Sequence, residues 1–287
     1  MKKYRLWLLA VIGIAFALRL YNLTYHSLWF DEAMSVHWAR QSVPRILEVS
    51  LTLIEDRLPP LYYLALKGWT TLVGFSETGV RSLSVLMGLL LVPIMARLAA
   101  DLFNRRVAGL TALLVALNPF LIWYSQEARM YAQAVLFSAL TVWSFLRLSE
   151  SASQRVGESA SQRIDKRQKP LPSPYFLLLT VFAVLGLYTH LYTGFVLPAL
   201  GLWLIISYPR VWRLWLLFAL SGLVIALAFT PLAVATWHFS GESTPGDPLT
   251  GLGGRAWWLL QAFTVWKAPL SPTLQTAISI IVVTFAL

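Results

Sequence analysis

The feature that most constrains this chain is a series of apolar runs, most of them long enough to cross about 30 Å of hydrocarbon. They cover residues 5–23, 80–100, 107–124, 129–148, 174–191, 193–208 and 211–232. An eighth, 273–287, is still running where the sequence stops, which predicts an incomplete last span and a longer protein. Backbone polar groups inside a bilayer must be satisfied within the segment, so runs of this kind fold as helices. The expected fold is an all-α polytopic transmembrane bundle, with residues 1–287 forming a single membrane domain. Composition agrees: 13% of residues are charged, against roughly 25% in soluble domains. The absence of cysteine excludes a disulfide framework, a thiolate zinc site and a Cys nucleophile. The basic start at Lys2 and Lys3 resembles a signal peptide, but the run behind it exceeds an h-region and lacks a small-residue cleavage site. It reads as a retained helix.

Direction follows from the cations. Lys2, Lys3 and Arg5 precede the first span, and Arg97, Arg105 and Arg106 follow the second. The positive-inside rule places both clusters in the cytoplasm and requires an even number of crossings between them. Residues 60–74, starting from a Pro pair and carrying Lys67, then lie along the membrane surface, where their aromatics suit the interface. Basic clusters at both ends of 174–208 split that stretch into two helices by the same parity. On this topology the cytoplasmic segments carry the whole net charge of +10. The basic excess is therefore topological and predicts no nucleic-acid partner. Residues 149–173, with SASQRVGE duplicated as SASQRIDK, read as a flexible cytoplasmic linker.

The outer side holds the chemistry. Residues 24–79 form a long loop with acids at Asp31, Glu32, Glu48, Glu55, Asp56 and Glu77. Apolar spacing through Trp29, Met34 and Trp38, and then Ile46, Val49 and Leu53, predicts amphipathic helices resting on the bilayer. A second outer stretch, 233–272, is rich in Gly and Pro. Glu127 stands in a short turn between two spans, flanked by Tyr124, Arg129 and Tyr131, while Arg81 and Arg19 stand near outer helix ends. Acids facing cations at one depth suit transfer to a hydroxyl with a phosphate leaving group. A carboxylate takes the hydroxyl proton, and arginine holds phosphate oxygens.

Plainer readings stand beside these. Asp31 also fits a solvated loop charge, Glu32 a first-turn acid favoured by the helix dipole, and Arg81 a snorkelling anchor. Arg129 fits a local pair with Glu127, and His190 a structural histidine. No ligand spacing marks a preformed zinc site, and no Gly-rich phosphate loop is present.

Five sequence elements occur in one order: LWFDEA at 28–33, PPLYY at 59–63, Glu77-x-x-x-Arg81, NPFLIWYSQEARMYA at 118–132 and YTH at 188–190. In this order they resemble the N-terminal part of the family 39 glycosyltransferases of the GT-C fold. That family includes protein O-mannosyltransferases and lipid A aminoarabinose transferases. The resemblance implies sugar transfer, with inversion, from a polyprenyl-phosphate carrier to a protein, lipid or glycan acceptor. The setting it implies is the outer face of a bacterial inner membrane, among membrane lipids. It makes Asp31 the catalytic carboxylate and Glu127 the second acid, with Glu32, Arg81, Arg129, Tyr131, Arg57 and His190 as substrate-binding residues. A divalent ion, where one takes part, falls to Asp31 and Glu127. One departure is Leu58, directly before the Pro pair, where many relatives have His; Arg57 is the adjacent cation.

Two rival readings remain open. A transporter or lipid flippase would carry ionisable groups at mid-span, often in repeated halves; here the mid-span regions are nearly free of charge. A non-catalytic, truncated transferase would keep the same motifs.

Overall fold

A computed structural model describes residues 2–52, 55–56, 58–161, 174–239, 271, 273–278 and 280. Its ordered elements are helical, with no strand among the described residues. In chain order they are α1 (Lys2–Leu20), α2 (Phe30–Arg40), α3 (Val43–Thr52), α4 (Leu61–Val73), α5 (Glu77–Leu102), α6 (Arg105–Leu117), α7 (Pro119–Ser125), α8 (Tyr131–Ser161), α9 (Pro174–Thr189), α10 (Val196–Ser207) and α11 (Trp212–Phe239). A 3₁₀ turn, Leu191–Phe195, joins α9 to α10.

Among the described residues, three helices are long and apolar enough to cross a membrane: α5, α8 over Tyr131–Ala152 and α11 over Trp212–Ala235. The bent pair α6–α7 makes a fourth if counted as one span. Helix α1 fails the same test because Lys3, Arg5 and Arg19 fall within any window of that length. Large apolar side chains such as Leu6, Leu9, Leu114, Ile206 and Leu227 remain exposed, as lipid-facing helices require. The chain is an all-helical, multi-pass membrane protein.

Contacts divide the chain into two compact units. One comprises Met1–Ala33, Val73–Ala132 and Phe239–Leu287; the other comprises Met34–Leu72 and Gln133–His238. In the first, α5 packs against α1, α6 and α7. Ser76 starts α5 by accepting the Gly79 N–H at 3.1 Å, and Glu77 adds a first-turn acid.

The run 107–124, expected as one span, is instead bent by 56° between α6 and α7. Asn118 and Pro119 cause the break. Pro119 has no N–H for the ladder, and the Asn118 side chain caps the new helix through Leu121 N–H at 3.0 Å. The bend depends on a close approach of α5 to α7: a Cβ added at Gly88 would overlap Ser125 Oγ and lie 3.1 Å from Arg19 Nε.

In the second unit, α3 and α4 follow α2 in the 24–79 segment. Thirteen-residue α4 reaches only about 20 Å. Trp38, Ile46 and Val49 are buried there, whereas Trp29, grouped with them by its spacing, is exposed, and Leu53 lies outside the described residues. Helix α8 continues to Ser161, through part of the segment expected as flexible linker. Arg147 pairs with Glu150 on that extension at 2.7 Å. The rest of the linker, 162–173, and residues 240–270 lie outside the described residues. The apolar stretch 174–208 is broken at His190. Ala183, Leu187 and Ile225 form a small core, and Tyr188 hydroxyl donates to Ala228 O at 2.6 Å, tying α9 to α11.

Candidate functional site

Three chain segments of the first unit meet beyond the end of α1. Helix α1 stops at Leu20, and Asn22, at φ 54°, turns the chain through the left-handed region, which Asn tolerates better than most residues. The turn leads to Ser27 and to Trp29, whose N–H is met by the Glu32 carboxylate at 3.3 Å. Glu32 is the third residue of α2, so this is the reciprocal half of a capping box.

Glu32 does more than cap. Arg81, from the first turns of α5, donates Nε to Oε1 at 2.8 Å and Nη2 to Oε2 at 2.7 Å. Ala128 N–H adds a third bond to Oε1 at 2.8 Å. The Arg81 Nη1 group donates to Leu23 O at 2.7 Å and His26 O at 2.9 Å, and Nη2 also reaches Ser27 O at 3.4 Å. The side chains are 0% and 5% exposed. A guanidinium has five N–H donors, and all five are directed at protein acceptors. Burying two charges is favourable only when their remaining lone pairs and protons are satisfied, and here they are. In this arrangement Arg81 has no N–H left for a phosphate.

Asp31, one residue earlier, differs. Its side chain is 34% exposed and lies 3.6 Å from Arg129 Nη2, while Arg129 Nη1 donates to Asp31 O at 3.1 Å. Arg129 N–H bonds back to Glu127 O at 2.8 Å in a three-residue turn, and Ser84 Oγ holds Arg129 O at 3.2 Å. The Glu127 carboxylate accepts the Trp123 indole N–H at 2.6 Å.

Around this junction is a cavity of about 580 Å³, within the range of small-molecule sites. Trp29, Trp123, Tyr124 and Tyr131 supply aromatic walls, with Glu127 and Gln126 among the polar groups. Tyr124 and Tyr131 meet edge to face at 4.6 Å, and Arg129 stands 5.9 Å over the Tyr131 ring. Glu32 and Arg81 form part of the wall; Asp31 is not among the lining residues. Among the described residues, no three His, Asp or Glu side chains converge to hold a metal. Such an ion would have to take most of its oxygen ligands from water and substrate phosphate.

Two side chains brace the site from below. Val115 O would normally accept the N–H of residue 119, which is proline. Arg19 Nη2 reaches it instead at 3.3 Å, Nη1 reaches Ala116 O at 3.2 Å, and Nε reaches Ser125 Oγ at 3.2 Å. In return, Gln126 Nε2 donates to Arg19 O at 3.2 Å and Tyr21 O at 2.8 Å at the end of α1. Each side chain satisfies carbonyls that a helix end leaves open. Arg19, grouped with the site cations by its sequence position, is fully buried and acts as this brace.

Of the other expected residues, Arg57 lies outside the described residues. His190, in the second unit, caps the 3₁₀ turn by accepting Tyr192 N–H on Nδ1 at 3.2 Å. The sequence reading did not single out His26, Asn22, Trp123 or Gln126, which also line the cavity. For Trp123 and Gln126 a signal was present, since Gln126 precedes Glu127 in the short turn and Trp123 stands one helical turn before it.

Comparison with curated proteins and with solved structures found no match. Residues 57–157, which hold Arg81, Glu127 and Arg129 but not Asp31, match the family described as dolichyl-phosphate-mannose-protein mannosyltransferase, so over that stretch the chain is similar to a glycosyltransferase family.

Proposed function

We propose that this protein transfers a sugar from a polyprenyl-phosphate carrier to an acceptor hydroxyl, with inversion, at the outer face of a bacterial inner membrane. The observation that carries the reading is the aromatic cavity bearing Glu127, beside the partly exposed Asp31, in a chain whose residues 57–157 match that family. Aromatic faces with a few polar groups suit a sugar ring.

In the proposed reaction Asp31 takes the proton of the acceptor hydroxyl. The acceptor oxygen attacks the anomeric carbon, and the bond from that carbon to the phosphate oxygen breaks. Polyprenyl phosphate leaves with the bonding electrons. Glu127, on the cavity wall, orients the acceptor and faces the positive charge that builds on the sugar, as carboxylates do in glycoside hydrolysis. Arg129 positions Asp31, with Tyr131 beneath its guanidinium. The departing phosphate falls to Arg129 and Arg57, because the N–H groups of Arg81 are directed elsewhere. Glu32 and Arg81 hold the substrate site in shape, and His190 shapes its own turn.

The buried charges support this reading over a transporter. Arg19, Glu32, Arg81 and Arg129 all lie at or near helix ends, whereas transport sites place ionisable groups near the midplane. Mass spectrometry of lipids co-purified with the full chain and with Asp31→Asn tests the proposal. A sugar-charged polyprenyl phosphate enriched in the variant is expected. Bulk phospholipid alone in both preparations would contradict it.

A further inference from the structure

A second cavity, of about 390 Å³, lies at the other end of α5. Arg81 and Arg97 are sixteen residues apart on one helix, about 24 Å along its axis, so the two cavities are separate. The floor is apolar. Pro93, Ala96 and Ala100 fall on one face of α5, and Leu8 with Tyr4, four residues apart on α1, form the facing wall. The small alanines and the proline leave the gap. Helix α1 packs against α6 at this level, where Gly109 admits the Trp7 indole; a Cβ there would sit 3.2 Å from its Nε1.

The rim is cationic. Arg5, Arg97 and Arg105 all line the cavity. Arg97 is held by Asp101, with bonds of 3.1 and 3.0 Å, which offsets its charge. Among the described residues, neither Arg5 nor Arg105 has a hydrogen-bond or ion-pair partner. Topological charge bias accounts for cations at this end of the bundle, but not for three of them around one apolar cleft. Lys3 and Arg106 share the same end and do not line it. Basic pockets between membrane helices are suited to anionic lipid headgroups.

We propose that this cleft binds an anionic phospholipid. Arg5 and Arg105 take its phosphate oxygens, and Leu8, Ala96 and Ala100 receive the first methylenes of an acyl chain. The occupant is a lipid rather than a free anion because the cationic rim opens directly onto an apolar floor.

The test is native mass spectrometry of the full chain in detergent, titrated with phosphatidylglycerol or with phosphatidylcholine of the same chains. One phosphatidylglycerol should bind about tenfold more tightly than phosphatidylcholine. Arg5→Gln with Arg105→Gln should weaken it by about tenfold or more, the loss that two basic residues near a headgroup imply. Lys3→Gln with Arg106→Gln removes the same formal charge and should change binding less than about twofold on the same scale. Ala100→Phe fills the floor without altering charge and should also weaken binding. Both charge-removal pairs acting equally would reduce the effect to surface charge and overturn the proposal. Equal affinity for the two lipids, or no effect of Ala100→Phe, would overturn it as well. Competition by inorganic phosphate at concentrations equal to the lipid would show a free-anion site instead. Arg5 and Arg105 are exposed, so a thermal melt that matches the parent protein separates lost binding from lost folding.

Discussion

Asp31 and Glu32 are neighbours on the first turn of α2 and share a charge, yet the structure treats them in opposite ways. Glu32 is sealed from solvent with four donors on its two oxygens. Asp31 is one-third exposed and lies against Arg129. A carboxylate whose lone pairs are occupied holds a fold together, and one with an accessible oxygen can receive a proton from a substrate. Within a single Asp-Glu motif, one acid is built in and its neighbour is left accessible.

The contrast predicts a ranking of stabilities. Arg81→Ala should cost the most, about 3–5 kcal/mol, because it leaves Glu32 charged and buried without its partner. Thermal unfolding in detergent, or loss of the folded fraction on size exclusion, would register it; a melt unchanged from the parent would erase the distinction between the two acids. Arg19→Met should follow at about 1–3 kcal/mol, since it strips the donors from the Val115 and Ala116 carbonyls at the α6–α7 break. A variant that also straightens the break, Arg19→Met with Pro119→Ala, should recover part of that loss by restoring a backbone donor. Gly88→Ala should cost about 1–3 kcal/mol by overpacking α5 against α7. Asp31→Asn should be the mildest, at less than about 1 kcal/mol, because a partly exposed ion pair contributes little.

Parts of this arrangement were legible in the sequence and parts were not. The all-helical membrane class follows from apolar runs, whose physical cause is local. The break inside 107–124 was written at Asn118–Pro119, an N-cap followed by a proline at the first helical position, but continuous hydropathy across it suggested one span. The extension of α8 ran against a polar composition that reads as linker; Ala, Glu, Gln and Arg among the serines are helix formers, and Arg147 with Glu150 reinforces that turn. The role of Arg81 was out of reach. Besides the Glu32 carboxylate, its acceptors are carbonyls of Leu23, His26 and Ser27, more than fifty residues away, and carbonyls leave no mark on residue identity. The aromatic walls, from Trp29 and from Trp123 to Tyr131, were divided among motifs that the fold brings to one cavity.

The direct test reverses the stability ranking. Sugar transfer from a synthetic polyprenyl-phosphate donor would be measured for the full-length protein, Asp31→Asn and Glu32→Gln, each normalised to its folded fraction. Asp31→Asn should lose 10²–10⁴-fold, the range for removal of a general base, while folded Glu32→Gln, which alters the cavity wall but not the base, should lose less than Asp31→Asn. An Asp31→Asn variant with more than about a tenth of parental activity, well above that range, would contradict the assignment of Asp31 as the base.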